Sequence, residues 1–547
     1  MLNHKIAIST LSPIHIGCDT VYEPSNFVIH DDLLHALDVA DLAEELSAAE
    51  RKQLGDLATN GREPIGAIQR FFRERAERLA SIATHHVAVA DDIASEYAQK
   101  AGVAAQRNVG SDAVYNSLAI ARTAFSPIDN APYLPGSSLK GSIRTAWLDH
   151  LNDGDPLRPN EKPQDKKASR ATQELLKKTS RIVQERLMKY AANEFQNDPF
   201  RHVAIADAKP DDAATPPPTL VLYVVSKKKR VSERDSPGVP GFLETIPEAM
   251  PARFLGDLRL GEAISWAALC DACNQFYRPQ LDEELSHPVL RDLLDVAWKM
   301  LINDLLREEL DALIKARQGF LLRVGRHSGA ESVTLNGIRH ITILGKDKKD
   351  SELRPNTTEK RFASRTKRGI DGLLPFGWVW VDGSDQAHQS LSDSLKAKLA
   401  KRSAPALEAH ADRLARSEAA QEERDAKRLA ALKAQNAAIE AKQAEDAAQV
   451  QRQQMLASLS PGQRQVEEFI AAAGARVESL RGGHEKMNAA FHNRARALAL
   501  EALAGADWSK EERAALATAI AHWLPQVVSG IDKDQLKKLK LSALRGE

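Results

Sequence analysis

"YLPGSSLKGSIRTAWL", residues 133–148, joins a turn to a helix and sets two cations at the join. Pro135-Gly136 is a turn signal, and Ser137 or Ser138 can serve as an N-cap. Leu139, Ile143, Trp147 and Leu151 recur every four residues, which predicts a helix over 138–151 with one buried face. The first turn of such a helix exposes backbone N–H groups that favour an anion, and Lys140 and Arg144 lie together on its flank. Gly136 and Gly141 leave room for a phosphate backbone to come close. The stretch is not a Walker A loop, which needs Lys directly after its second glycine, where Ser142 stands here. An ordinary capped surface helix would carry the same signals, so composition alone leaves both readings open.

The rest of the chain sets bounds on that choice. Its 547 residues suit two to four domains at roughly 100 to 200 residues each. The 75 Lys and Arg balance the 75 Asp and Glu, so any anion binding is local rather than a property of the whole molecule. No apolar run is long enough to cross a bilayer, and "MLNHKIAISTLSPIHIG" lacks the pattern of a signal peptide, so a cytoplasmic protein with no membrane partner is expected. Cys270 and Cys273 form one C-x-x-C inside the helical "ISWAALCDACNQFY". Without two further ligands at zinc spacing, they read as core cysteines.

From Met1 to about Asp382, short β-like runs alternate with helical stretches. "KIAIST", "TLVLYVVS", "FLETIP", "RFLGDLRL", "GFLLRVG" and "GWVWV" read as strands, and "NFVIHDDLLHALD" as a hairpin turning at Asp31-Asp32. "GAIQRFFRERAERLASI", a basic stretch from Asp165 to Asn197 and "VLRDLLDVAWKMLINDLLREELDALIKAR" read as helices. The mixture predicts an α+β fold, antiparallel sheets covered by helices on one side. From about Ser390 to Leu459, Ala, Lys, Arg, Glu and Gln predominate, which predicts one long solvated helix acting as a spacer. Ser460-Pro461-Gly462 then opens a compact helical module.

"YLPGSSLKGSIRTAWL" resembles the signature of the RAMP superfamily of CRISPR effector proteins, an aromatic-x-Pro-Gly-Ser-Ser-x-Lys-Gly-x-x-Arg segment near the guide RNA (crRNA). "LSPIHIGCD" is similar to the opening of the type III-A, or Csm, branch, above all to the subunit that caps the backbone filament at the crRNA 3′ end. "DPFRHVAIAD", "GFLLRVGRHSG" and "LPFGWVWV" agree with that subunit; the likeness ends near residue 382. The resemblance implies two ferredoxin-like, RRM-related units, 1–215 with a helical insertion and 216–385 with the glycine-rich loop, followed by a charged helix over 386–459 and a module over 460–547. It implies as partners crRNA, the adjacent backbone and small helical subunits of the complex, and host maturation nucleases.

The expected RNA-binding set is Ser137, Ser138, Lys140, Gly141 and Arg144 at the helix start, with Arg323, Gly325, Arg326, His327 and Gly329 in the loop, and His15. The loop has its own physical reading, since Gly325 and Gly329 permit positive φ while Arg323, Arg326 and His327 supply donors to a phosphate or base edge. Some RAMP proteins are metal-independent endoribonucleases using histidine, and backbone subunits of type III complexes cleave with an aspartate. His15, His327, Asp19 and Asp129 are the candidates here. His15 sits beside Pro13 in a β-like segment and suits packing. Asp19 in "GCDTVYEPSNF" lacks the Gly-Gly-x-Asp character of the cleaving subunits, and Asp129 belongs to a turn, "SPIDNAPY". The expectation is therefore a non-catalytic RNA-binding and assembly subunit, with RNA endonuclease and protein-only scaffold as alternatives. Basic "VVSKKKR" and the 165–197 helix could add phosphate contacts, while aromatics at 5% favour backbone recognition over base stacking.

Overall fold

The computed structural model describes residues 2–23, 25–60, 64–102, 118–163, 169–191, 194–210, 217–231, 241–344, 351–383 and 391–547. The expected boundaries at 215/216 and 385/386, and the start of the basic helix at 165–168, lie outside the described residues. The chain forms two compact units, Met1–Arg424 and Asp425–Glu547.

The first unit mixes two sheets with helices. Apolar β-branched runs form its strands where the sequence predicts them: Leu2–Thr10, Leu220–Lys228, Gly241–Thr245, Met250–Leu260, Gly319–Arg323 and Trp378–Gly383. One sheet runs in the order 319–323, 378–383, 2–10, 250–260, 204–205, with 209–210 also on the 250–260 strand, and every pairing is antiparallel. The second runs Gly17–Tyr22, Ile120–Thr123, 241–245, 220–228, His85–Val89, Leu33–Ala36, Phe27–His30, with Glu359–Ser364 also on the 220–228 strand. It departs from the antiparallel expectation, because 120–123 pairs parallel with 241–245, and 85–89 parallel with 220–228. Helices and long connections intervene in both cases, as a parallel crossover requires. Both sheets draw strands from either side of residue 215.

The hairpin turns where expected, with Asp31 and Asp32 both at positive φ. Two predicted helices are broken. Pro64–Arg73 is separated from Ala76–Ala80, and the 289–317 stretch forms Val296–Leu305, capped by Asp295, a short wider turn, and Asp311–Lys315. Cys270 and Cys273 are buried in the helix Trp266–Ser286, as their core reading requires. Burial pushes both thiols up.

The long helix is Asp393–Ser458. Its solvated reading holds only in part. Leu395 and Leu399 are buried, and Arg402, Arg416 and Arg424 pair with Asp295, Asp31 and Glu45 at 3.1, 3.0 and 3.1 Å, so this part is docked within the first unit. Residues 425–455 are exposed throughout, and they belong to the second unit. There Ser460 caps Pro461–Leu480 in a reciprocal box with Gln463, and Phe469, Leu516, Ile520 and Leu524 build a separate core.

Candidate RNA interface

Helix Gly136–Asn152 begins two residues before the expected start at Ser138. Pro135 takes the cap position, and neither Ser137 nor Ser138 closes a side-chain cap bond. The Gly136 N–H donates to Asp207 Oδ1 at 2.8 Å, so a carboxylate of the chain itself occupies part of the anion-seeking end. A Cβ on Gly136 would lie 2.2 Å from Ile205 O, so this glycine serves backbone packing rather than phosphate approach. Gly141 faces open space. Leu139, Ile143 and Ala146 form the buried face, whereas Leu151 is 39% exposed. Each four-residue step overshoots a turn by about 40°, and three such steps carry Leu151 off the face.

Arg144 pairs with Asp198 at 2.9 Å and bonds Gln184 at 3.4 Å, so its expected RNA contact would have to displace a partner. Lys140 is half-buried beside exposed Ser137 and Gly141, and has no ion-pair partner among the described residues.

Three separated motifs meet at one place. The Arg326 N–H donates to His15 O at 2.8 Å, Gly377 N–H to Pro13 O at 2.9 Å, Val324 N–H to Gly377 O at 2.8 Å, and Trp378 N–H to Ser12 Oγ at 2.8 Å. Gly325 and Gly377 hold positive φ, and a Cβ on either would lie 2.3 Å from a backbone oxygen, His15 O or Val324 O. "LSPIHIG", "RVGRHSG" and "LPFGWVWV" are therefore interlocked through backbone, and these two glycines are required by close approach. Ser142 Oγ donates to Arg323 O at 3.0 Å and ties the 136–152 helix to the same strand end.

This interlock divides the expected set. Arg323 is 2% exposed, pairs with Glu284 at 2.6 Å and donates from Nε to Phe376 O at 3.0 Å. Trp378 Nε1 and Lys360 Nζ complete the shell around Glu284. Burial would raise the Glu284 carboxyl, but Arg323 and Lys360 outweigh it and hold it below the usual range. His15 is fully buried, with Nδ1 against Glu244 O at 2.7 Å, which makes Nδ1 the donor. Burial lowers its pKa. The structure thus places Arg323 and His15, both in the expected RNA-binding set, as interior groups committed to partners that strand pairing brings to them.

Arg326 is exposed and His327, at positive φ, has its ring 5.4 Å from Phe376. Burial, with Arg361 and Arg326 nearby, pushes the His327 pKa down to about 3. Arg326, His327 and Arg361 edge a depression of about 430 Å³ floored by sheet residues that include Val224, Phe242 and Leu243. His327 and Arg361 also line a second depression of about 360 Å³ that passes Gly329 and Lys360. The two share a wall and form one cation-edged groove. Arg361 was missed because its strand opens with three consecutive charged residues, Glu359, Lys360 and Arg361, so no apolar alternation marks a face; the structure turns Lys360 and Phe362 inward and leaves Arg361 exposed.

Asp19 is exposed at positive φ in an irregular edge strand. Asp129 accepts from Ala131 N–H at 3.1 Å, and bonds from Ser126 and Ala131 hold its carboxyl low, as the turn reading expects. Among the described residues no cluster of His, Cys, Asp and Glu could hold a metal ion, and no helix is long and apolar enough to cross a membrane.

Residues 7–267 match the model of the RAMP superfamily, and they contain both "LSPIHIG" and "YLPGSSLKGSIRTAWL", so the resemblance read from those motifs is borne out. No curated protein matches the chain. Among solved structures, a chain of the cryo-EM Csm-crRNA-target RNA ternary complex of a type III-A CRISPR-Cas system is 17% identical, with a TM-score of 0.37, covering 70% of this chain and 100% of that one. The crystal structure of T. onnurineus Csm5 is 16% identical, with a TM-score of 0.36, covering 69% and 99%.

Proposed function

We propose that this chain is a non-catalytic crRNA-binding and assembly subunit of a type III-A CRISPR complex, capping its backbone filament at the crRNA 3′ end. Two ferredoxin-like units carry the fold in this reading, and the backbone and small helical subunits, and maturation nucleases, are its partners in the cytoplasm. The observation that carries the reading is the groove edged by Arg326, His327 and Arg361, next to the interlock of three RAMP-like motifs. An open, cation-edged sheet face suits a single strand held through its phosphates. The histidines favour binding over cleavage. A general acid or base works best with a pKa near the operating pH, whereas His327 is lowered to about 3 and His15 has its Nδ1 tied to a carbonyl.

The test mixes the full chain with labelled repeat-containing RNA, with and without EDTA, and follows retardation and cleavage together. Replacing both Arg326 and Arg361 with Ala is expected to weaken binding about ten- to hundredfold and make the salt slope shallower by about two. Unchanged affinity would reject the groove as the RNA site. Products that survive EDTA and vanish in His327→Ala would make the protein an endoribonuclease instead.

A further inference from the structure

A third cavity, of about 350 Å³, lies between helix 136–152, helix Arg170–Met188 and the 333–340 segment. Its walls are largely aliphatic, among them Leu148, Leu176, Val183, Leu335 and Ile338. Its polar lining includes Arg144, Arg339 and His340, and no Asp or Glu belongs to it among the described residues. The cavity beneath the docked part of the long helix is different: there Arg365, Arg402 and Arg413 are matched in number by Asp91, Glu248 and Asp295.

Arg339 is the group to explain. It is half-buried, and its guanidinium donates only to carbonyls, Nε to Thr334 O at 3.4 Å and a terminal nitrogen to Glu331 O at 3.2 Å. The nearby carboxylates are engaged elsewhere. Asp149 accepts from Asn336, and Glu331 pairs with Lys229 at 2.8 Å and accepts from Thr357. Burial lowers the Arg339 pKa although Asp149 and Glu331 pull it the other way, and its hydrogen bonds go to carbonyls alone. A pocket with aliphatic side chains in its wall and a guanidinium bonded only to carbonyls suits a ligand with a flat, poorly hydrated body and one anionic group.

The position of the cavity says which ligand of that kind can reach it. Val333 lines both this cavity and the depression under the glycine-rich loop, and that depression shares His327 and Arg361 with the sheet-face groove. The three are therefore neighbours on the surface of the first unit. We propose that this cavity receives a single nucleotide turned out of an RNA strand lying in the groove, its base against the aliphatic wall and its phosphate on Arg339. The inference rests on the RNA-binding reading above and adds to it a pocket that holds one nucleotide in register.

The experiment uses the full chain and repeat-containing RNAs carrying 4-thiouridine at successive positions, crosslinked with long-wavelength light and mapped by peptide. Two variants accompany it: Arg339→Gln, which removes the cation, and Ser180→Trp, which fills the mouth from an exposed helix position. One RNA position is expected to crosslink to residues 176–184 or 333–340. Its yield should fall about tenfold in each variant while overall retardation changes less than about threefold, since the groove contacts remain. Retardation with no crosslink to those peptides, or crosslinks that neither variant alters, would overturn the pocket and leave the RNA-binding reading standing. Absence of retardation by the unaltered chain would overturn both.

Discussion

The helix start at residues 136–144 and the glycine-rich loop at 323–329 have the same composition, glycines and serines with interspersed cations, and the fold treats them differently. At the helix start, Asp207 takes the Gly136 N–H and Asp198 takes Arg144, while Lys140 and Gly141 stay open on the surface. In the loop, Arg323 is drawn wholly inside to Glu284, and Arg326, three residues on, faces the groove. The helix start is thus a half-neutralised helix N-terminus, and the loop is a scaffold with one exposed end. Position relative to a strand end, rather than residue type, sorts the arginines. Strand pairing with 378–383 sends the Arg323 side chain inward, and the turn at Gly325 releases Arg326.

The largest effect that would test this contrast is on folding. Arg323→Ala should lower stability by about 3–5 kcal/mol, because it leaves the buried Glu284 short of a partner, and denaturant midpoints read this directly. A loss confined to RNA affinity would place Arg323 with Arg326 and erase the distinction.

Acid should come next, and it acts at the loop. The folded pKa of His327, about 3, lies below the unfolded value near 6.5, so the neutral ring's contribution is complete above pH 6.5 and is lost as the pH falls toward 3. The first unit should lose up to about 1.4 kcal/mol per pH unit from this group within that window. His327→Gln should flatten that part of the stability profile, and an unchanged profile would mean that the ring titrates alike in folded and unfolded chains.

Smaller effects belong to the helix start. Asp207→Ala should cost about 1 kcal/mol of thermal stability, as loss of a helix cap does, without weakening RNA binding. Lys140→Ala should leave stability within about 0.5 kcal/mol and weaken RNA binding about threefold. If Asp207→Ala instead strengthened binding tenfold, RNA and Asp207 would be competing for the same N–H groups, and the helix start would be the principal phosphate site.

Much of this was legible beforehand. Runs of β-branched and aromatic residues place the strands, positive-φ aspartates the hairpin, and alanine-rich composition the long helix, because each of these signals is local. The RAMP likeness rests on short motifs of the same kind. What local signals do not carry is pairing between distant segments. The parallel contacts of 120–123 and 85–89, and the seating of helix residues 395–424 on Asp31, Glu45 and Asp295, needed partners more than a hundred residues away. Arg339 is not legible in the sequence because its meaning lies in how the carboxylates near it, Asp149 and Glu331, are bonded to other groups, which only packing decides.

By itself, then, the sequence determined where most helices and strands form and which family the motifs resemble, since backbone propensity and apolar period act within a few residues. Only the tertiary structure decided which cations are buried against carboxylates and which stay exposed. Whether a guanidinium meets a carboxylate or solvent depends on which distant strand or loop packs over it, and identical arginines part company there.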